Sequence, residues 1–521
     1  MSRSKAQPYF LALALYALLV AAYVGLRFGW RWLDADAASL TILSQNVHNE
    51  GTLVPAAGAY ALGYAYPALN TFLARATGVP VTILQTYVQP FLFALLVPVS
   101  YAAFRVLLGN RAVAALACLL LLLQPDLLFE GVRSSHAKFT WLLALGMLFV
   151  LSRSFQVEGS NRAFARWVLL FYMMAYGLIS SNAFFASSYV FGLAFAFLGG
   201  WVLARWQRTP QASEGRLRRL LYVALACSVL VFLVAFYLYP PVQRQAWFLR
   251  TTIDRVAGFV LDVETGANPY RYVQVTWLSP GLYVMLSSLS WLVLGLSFVN
   301  WVQKGWALLG RRQTFPPGQL LLWLLYTGFA FLLALGVALD LAGTLSANLQ
   351  VRLFPHVMIM AIPLAAEMVG RLVAGAWRRG RAARRAAVAL LAVAALFFSA
   401  ASLFKATNEP LLSNLWVFYS PGERAAAGWA GPHLAGPWVW LGPNNRLKPM
   451  LRLFGDWEEA GLSEYTGQTV ADRYDLLLSE VTKMQAARLA MPLPEVWRRL
   501  RVYDNGDAAL YHARPRTPYQ Q

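Results

Sequence analysis

The chain has 521 residues, of which 58% are hydrophobic and only 13% are charged, and its formal net charge is +20. Apolar runs long enough for a helix to cross a bilayer recur along most of it, which indicates a polytopic membrane protein rather than a soluble one. There are 31 Lys and Arg against 12 Asp and Glu up to residue 404, and 13 against 12 after it. The positive excess therefore belongs to short loops between spans and does not indicate nucleic-acid binding.

Eleven transmembrane helices are predicted, near 9–28, 81–104, 112–124, 139–152, 167–180, 183–203, 219–239, 281–301, 319–339, 353–373 and 386–404. With eleven spans, all the strongly basic loops fall on the side of the N-terminus, namely 105–111, 153–166, 205–219, 304–312 and 378–385. The positive-inside rule makes that side cytoplasmic. We therefore predict a multi-pass protein of the cell membrane with an uncleaved signal-anchor as first span and an outer C-terminal tail.

The tail, residues 405–521, is richer in charge, Gly and Pro than the rest of the chain. Period-two stretches at 474–478 and 508–511 predict strands, and Asp504-Asn505-Gly506-Asp507 predicts a hairpin turn. We predict a small extracytoplasmic α/β domain at 405–521 and a helical transmembrane domain at 1–404. Two long outer loops of the transmembrane domain, 29–80 and 240–280, carry amphipathic or aromatic stretches typical of the membrane interface.

Two aspartates, Asp34 and Asp36, follow the first span directly. Ionised side chains at a membrane edge cost free energy unless they face water, a partner or a substrate. Two carboxylates in this D-x-D spacing can act as a general base or hold a cation such as Mg²⁺ or Mn²⁺. Asp34 is nearer the span and is the better candidate for the base, whereas Asp36 is placed for a metal or the acceptor. The alternative is solvated interfacial charge.

A polar segment at 124–138 is predicted to dip into the membrane from outside, because the flanking spans hold only about fourteen residues where ~20 are needed. Charges at that depth are tolerated where they face protein or a water-filled cavity. An outer cationic pair, Arg133 and Lys138, is unusual, and a bound phosphate would account for it. The alternative is a self-neutralised cluster in which Asp126 and Glu130 pair with the two cations.

Three further outer residues have both a functional and a structural interpretation: Arg352, Tyr66 and His136. Arg352 stands at the outer end of the tenth span, where it can bind a lipid-linked phosphate or extend to headgroups. Tyr66 precedes Pro67, and this pair can contact a substrate or simply start a helix. His136 can contact a substrate or serve as a structural hydrogen-bonding group.

Several of these features together resemble the GT-C-type integral membrane glycosyltransferases, the superfamily of dolichyl-phosphate-mannose and arabinose transferases. They are the acidic pair after the first span, an amphipathic first outer loop with Tyr-Pro-x-Leu at 66–69, many spans and an outer C-terminal domain. The resemblance implies transfer of a sugar from a polyprenyl-phosphate or polyprenyl-diphosphate carrier to an acceptor hydroxyl on the outer face, with inversion. It also implies that Asp34 or Asp36 is the base or a metal ligand and that Arg352 contacts the donor phosphate.

The W-W-D-x-G signature of oligosaccharyltransferases does not occur in the sequence, which argues against protein N-glycosylation. The acceptor itself, a glycan, a lipid or a protein, stays open. A sugar phosphate has an anionic leaving group, so the reaction needs positive charge on the phosphate and a base, but no general acid. The residues expected to contact donor phosphate or substrate are Arg352, Arg133, Lys138, Tyr66, Glu130 and His136. The alternatives are a transporter or flippase of lipid-linked or polar substrates, although no repeat typical of transporters is visible, and an outer-face ligase or acyltransferase.

Overall fold

The structure is a computed structural model. It describes residues 7–30, 34–154, 161–206, 212–241, 280–310, 315–341, 349–407, 419–434, 438–440, 447–454, 458–459, 475–488 and 499–512, with a few single positions outside these ranges.

Helices make up the membrane part of the chain. In chain order they are α1 (Gln7–Arg27), α2 (Ala35–Glu50), α3 (Ala65–Thr77), α4 (Val81–Leu108), α5 (Arg111–Leu122), α6 (Pro125–Val132), α7 (Ala137–Ser154), α8 (Asn161–Ser181), α9 (Ala183–Trp206), α10 (Ala212–Leu238), α11 (Pro280–Leu309), α12 (Pro317–Leu341), α13 (Leu349–Arg378) and α14 (Arg381–Thr407). Within the described ranges, nine helices are long and apolar enough to cross a membrane, or ten if α5 and α6 form one bent span. The prediction of a polytopic membrane protein is confirmed.

Every predicted span coincides with a helix, but three of them differ from the prediction. The span expected at 219–239 lies in α10, whose apolar part, Tyr222–Leu238, is shorter than the helices counted as long enough to cross a membrane. The span expected at 112–124 is instead the pair α5 and α6, whose axes are bent by 70° where Pro125 begins the second helix. The span expected at 139–152 is longer than predicted, because α7 covers 18 residues and includes Lys138 in its first turn. Lys138 is accommodated there because its side chain is fully buried against protein rather than exposed to lipid.

Irregular turns in α4 place the polar segment next to this span. Residues Leu84–Val88 form a π-helical turn and Gln89–Leu95 a 3₁₀ segment. Pro90 has no N–H to offer the carbonyl of Gln85, five residues before it, and Ser134 donates its hydroxyl to that carbonyl instead. Gly131 lets the ring of Phe93 approach closely, since a Cβ there would lie 2.3 Å from the ring. The segment between α6 and α7 is therefore fixed on α4.

The C-terminal part is an α/β unit, as the sequence predicts. It contains α15 (Pro421–His433), β1 (Trp438–Trp440), α16 (Lys448–Arg452), β2 (Glu458–Glu459), β3 (Asp475–Ser479), α17 (Glu480–Arg488), β4 (Leu500–Asp504) and β5 (Ala508–His512). The sheet has the order β2-β1-β3-β5-β4, with β1 parallel to β2 and β3, and β5 antiparallel to β3 and β4. The predicted hairpin is confirmed, and its turn contains Gly506 in the left-handed region with φ of 84°.

Helix α2 connects the two parts of the molecule. Toward its C-terminal end it packs on α3, where Thr71 donates to the carbonyl of Ser44 at 3.3 Å and Arg75 to that of His48 at 2.9 Å. Near its N-terminal end, Ala38 is fully buried in the apolar cluster of the C-terminal unit and packs with α16. Most of the long loop 240–280 lies outside the described residues.

Candidate active site

The chain turns sharply directly after α1. Gly29 and Trp30 both have positive φ, 64° and 53°, and the Trp30 ring stacks on two aromatic rings of α4, Tyr87 and Phe91, at centroid distances of 5.8 and 5.6 Å. The ring also covers Gly25, where a Cβ would lie 2.4 Å from it. This packing holds the exit from α1 against α4, a few residues before Asp34.

Asp34 is the N-cap of α2. Its Oδ1 accepts the backbone N–H of Ala37 at 3.0 Å, the hydrogen bond that an N-cap carboxylate normally makes. The side chain is buried, with 1% of its surface exposed, whereas 42% of the Asp36 side chain is exposed. The two aspartates therefore differ in environment, as expected for side chains that diverge from a D-x-D pair.

Arg133 joins the two sequence motifs, although it lies 99 residues from Asp34 along the chain. Its Nη1 donates to Asp34 Oδ2 at 2.6 Å and lies 3.1 Å from Asp36 Oδ2, while its Nε donates to Glu130 Oε2 at 2.8 Å. Burial alone would lower the pKa of Arg133, but the three carboxylates around it raise that pKa above its ordinary value. The guanidinium is therefore a fixed positive charge within a ring of three acids.

Lys138 contacts the backbone of Arg133. Its ammonium group is fully buried and donates to the backbone carbonyl of Arg133 at 2.7 Å. The sequence alternative of a self-neutralised cluster holds for Glu130, which pairs with Arg133, but Asp126 pairs with Lys405 of α14 at 3.8 Å. Lys138 thus helps to fix the backbone position of Arg133.

His136 and Tyr66 lie on the other side of the polar segment. Asn182 places its amide nitrogen 2.6 Å from His136 Nε2, and the two rings of His136 and Tyr66 meet edge to face at 6.4 Å. Burial, with Arg133 and Lys138 nearby, lowers the pKa of His136 to about 3. At neutral pH the imidazole is uncharged and accepts from Asn182.

Tyr66 is buried, and its hydroxyl donates to Gln85 Oε1 at 2.8 Å. A neighbouring polar chain runs from Gln89 Nε2 to Asn70 Oδ1 at 2.7 Å. These amides are not among the residues predicted from the sequence to be functional. Their signal in the sequence is that Gln85 and Gln89 are one helical turn apart in a largely apolar run and are followed by Pro90.

The structure describes the backbone of Arg352 only. Its backbone belongs to the first turn of α13, and its side chain lies outside the described residues. His356, one turn further along, is buried between two aromatic rings, Phe185 and Phe329. The role of Arg352 in binding donor phosphate stays a prediction.

The fold is similar to that of two structures of the Archaeoglobus fulgidus oligosaccharyltransferase. The form tethered to an acceptor peptide containing the NVT sequon matches with a TM-score of 0.56 at 11% identity, over 97% of this chain and 74% of that one. The apo form matches with a TM-score of 0.53 at 12% identity, over 90% and 69%. The chain has a GT-C fold.

ArnT from Cupriavidus metallidurans bound to undecaprenyl phosphate also matches this chain, with a TM-score of 0.47 and 14% identity over 96% of this chain and 97% of that one. No protein-family model and no curated protein sequence matches. Asp34, at the start of α2, pairs with Arg133, and Ala38 of the same helix packs in the C-terminal α/β unit. The ion pair and the C-terminal unit therefore lie at the same end of the helical bundle.

The lowered pKa of His136 predicts acid sensitivity. An unfolded histidine takes up a proton near its ordinary pKa of about 6.5, whereas folded His136 does not until about pH 3. Stability is therefore fully present above pH 6.5 and falls as the pH drops from there toward 3. We expect His136→Gln in detergent to lose less thermal stability than the native protein between neutral and acidic pH. His433→Gln, at an exposed histidine of α15, should behave like the native protein; equal losses in all three would contradict the assignment.

Proposed function

We propose that this protein is a membrane glycosyltransferase that moves a sugar from a polyprenyl-phosphate carrier to an acceptor hydroxyl at the outer membrane face. The observation that carries the proposal is the buried pair of Asp34 and Arg133 at the start of α2 in a GT-C fold. A carboxylate beside a fixed guanidinium offers a base and an anion ligand within one hydrogen bond of each other. The outer location rests on the distribution of basic loops.

The reaction can be written as a single displacement. The acceptor oxygen attacks the anomeric carbon, the bond from that carbon to the phosphate oxygen breaks, and the phosphate leaves with the electron pair. The acceptor proton passes to Asp34. A single displacement inverts the anomeric carbon. The guanidinium of Arg133 stabilises the negative charge on the departing phosphate. Lys138 holds the backbone of Arg133 in place through its carbonyl.

Both oxygens of Asp34 are engaged in this structure, Oδ1 by Ala37 and Oδ2 by Arg133. We therefore propose that a donor phosphate takes over the Nη1 donor of Arg133 and so frees Oδ2 to accept the proton. Glu130 keeps the remaining nitrogens of the guanidinium in place during this exchange. With this order of events, Asp34 becomes available as the base only after the donor has bound.

The carrier lipid is inferred from the fold and from the position of the site. The archaeal oligosaccharyltransferase AglB from Archaeoglobus fulgidus has been solved with an inhibitory peptide and a dolichol-phosphate, and its TM-score with this chain is 0.51 at 12% identity. An apolar cavity lies beside the bend between α5 and α6, lined by residues such as Phe93, Leu127 and Trp141. This cavity is too small to hold an isoprenoid in the present arrangement. Phe93 nevertheless contacts Gly131, two residues before Arg133, so apolar side chains lie next to the polar segment.

We propose that the two aspartates, predicted as possible metal ligands, act without a divalent metal. The point between the two aspartates is occupied by Nη1 of Arg133, which would repel a cation there. Within the described ranges, no three His, Cys, Asp or Glu side chains are grouped to hold a metal. A structure of the Archaeoglobus fulgidus oligosaccharyltransferase contains Zn and sulfate. We derive no step through a metal for the present protein.

Removal of divalent metals tests this point. We expect millimolar EDTA to leave sugar transfer unchanged, because Arg133 already supplies the positive charge between the aspartates. Initial rates should be compared with EDTA and after readdition of Mg²⁺ or Mn²⁺. A rate that disappears with EDTA and returns with either ion would show that Arg133 leaves the aspartates during the reaction.

The proposed function is tested with purified protein in lipid nanodiscs and a panel of radiolabelled polyprenyl-phosphate sugars. We expect release or transfer of the label from the carrier for at least one sugar and no release with Asp34→Asn. Undecaprenyl phosphate should raise the apparent melting temperature, because a ligand that binds only the folded state stabilises it. In liposomes, movement of intact labelled lipid between leaflets without cleavage would favour a flippase instead.

A further inference from the structure

We infer that the C-terminal domain sets the position of the catalytic carboxylate by holding the first turns of α2, with Ala38 as the positioning residue. This inference rests on the proposed role of Asp34 as base. It concerns how the base is held in place rather than what it does.

The two ends of α2 have different supports. The C-terminal half is held within the membrane part, because Asn70, Thr71 and Arg75 of α3 donate to Ser44 and His48. The N-terminal half is covered by the C-terminal domain, where Ala38 joins a buried cluster of eleven residues. The cluster includes alanines of α15, two side chains of α16, Met450 and Leu451, and residues of β3 and β5. A change in how the domain packs therefore acts on the end of α2 that begins with Asp34.

The link from Ala38 to the carboxylate is short. Ala37, the residue before Ala38, is also fully buried, and its N–H holds Oδ1 of Asp34 at 3.0 Å. The other oxygen, Oδ2, is held by Arg133, which belongs to the membrane part and has its own support from Glu130. Asp34 is thus fixed between a helix whose first turns depend on the C-terminal domain and a guanidinium that does not.

Ala38 suits this contact because it is small. Its side chain is fully buried, so additional atoms at this position must push α2 and α16 apart. A shift of the start of α2 by about an ångström would move the Asp34 carboxylate away from the acceptor hydroxyl whose proton it accepts. Misplacement of that size costs up to about a hundredfold in rate even when the substitution is remote from the chemistry.

The test compares Ala38→Leu with Ala57→Leu, which adds the same atoms to an exposed position of the same outer loop. For Ala38→Leu we expect faster amide hydrogen exchange at 34–40, a kcat lowered by about ten- to a hundredfold, and an unchanged Kd for undecaprenyl phosphate. Ala57→Leu should match the native protein in all three. The unchanged Kd distinguishes a displaced base from general damage, since Arg133 and Lys138 keep their own contacts.

Leu451→Ala loosens the same contact from the domain side and is used if Ala38→Leu does not fold. Faster exchange at 34–40 with a native kcat, or a lowered kcat with native exchange, would overturn the inference. Hydrogen exchange also separates this inference from the proposed function. If the native protein cleaves no polyprenyl-phosphate sugar, the function fails; if exchange at 34–40 does not respond to either substitution, the inference fails on its own.

Discussion

Asp34→Asn is expected to abolish sugar transfer while leaving donor binding intact. Asparagine is an equally good N-cap, so it can still accept the N–H of Ala37 and begin α2 in the same way. What is lost is the negative charge that accepts the acceptor proton, and removal of a general base costs ~10²–10⁴ in rate. Because the substitution also releases Arg133 from one of its carboxylates, the affinity for undecaprenyl phosphate should stay the same or increase.

Asp36→Asn is the matched control, since it makes the same chemical change two residues away on a half-exposed side chain. We expect its rate to fall far less than that of Asp34→Asn. Single-turnover rates and the Kd for undecaprenyl phosphate should be measured for both variants. Native turnover in Asp34→Asn with an inactive Asp36→Asn would reverse the assignment of the base. If both variants remain active, neither aspartate is the base and the proposed reaction fails.

Some features of the fold could be predicted because they depend on local sequence. The spans follow from apolar length and the β4–β5 hairpin from Asp504-Asn505-Gly506-Asp507, and the structure has a helix at each predicted span and the predicted turn. The bend between α5 and α6 was only partly predicted. A polar segment dipping toward the membrane was expected, but the sequence does not show that Pro125 begins a second short helix at 70° to the first.

The candidate site was predicted as separate motifs but not as one arrangement. Asp34 and Arg133 were each selected because a charge at the outer membrane edge is costly without a partner. Their mutual ion pair depends on the packing of α2 against the segment between α6 and α7, which has no local signature. For the same reason the alternative of a self-neutralised cluster does not identify the partner of Asp126, because Lys405 comes from the last turn of α14, far along the chain.

The contact between Ala38 and the C-terminal domain could not be predicted from the sequence either. Residues 38–43, in the loop 29–80, have an amphipathic pattern typical of the membrane interface. In the structure Ala38 instead belongs to the core of the C-terminal domain, and Leu40 is buried as well. An amphipathic pattern shows that one face must be covered, but it does not identify what covers it.

Arg133→Met is expected to have the largest effect on both function and stability. Methionine keeps much of the length of the side chain but leaves three carboxylates, Glu130, Asp34 and Asp36, without the guanidinium between them. Loss of one partner of a buried ion pair destabilises a protein by about 3–5 kcal/mol. The loss of a charge-assisted hydrogen bond to phosphate costs a further ~1.5–3 kcal/mol of donor binding, or about ten- to a hundredfold in affinity.

Three variants separate these two effects. Arg133→Lys keeps the charge without the planar fork, so we expect a native-like melting temperature and weaker donor binding. In Arg133→Met with Asp34→Asn, one uncompensated charge is removed, which should recover part of the stability but no transfer. Arg75→Met is the control, because Arg75 is an exposed arginine of α3. This variant should bind undecaprenyl phosphate normally. If Arg133→Met binds undecaprenyl phosphate as tightly as the native protein, Arg133 serves only to neutralise the aspartates. The phosphate would then have to be held by other cations, and Arg352 and Lys138 would be the next residues to replace.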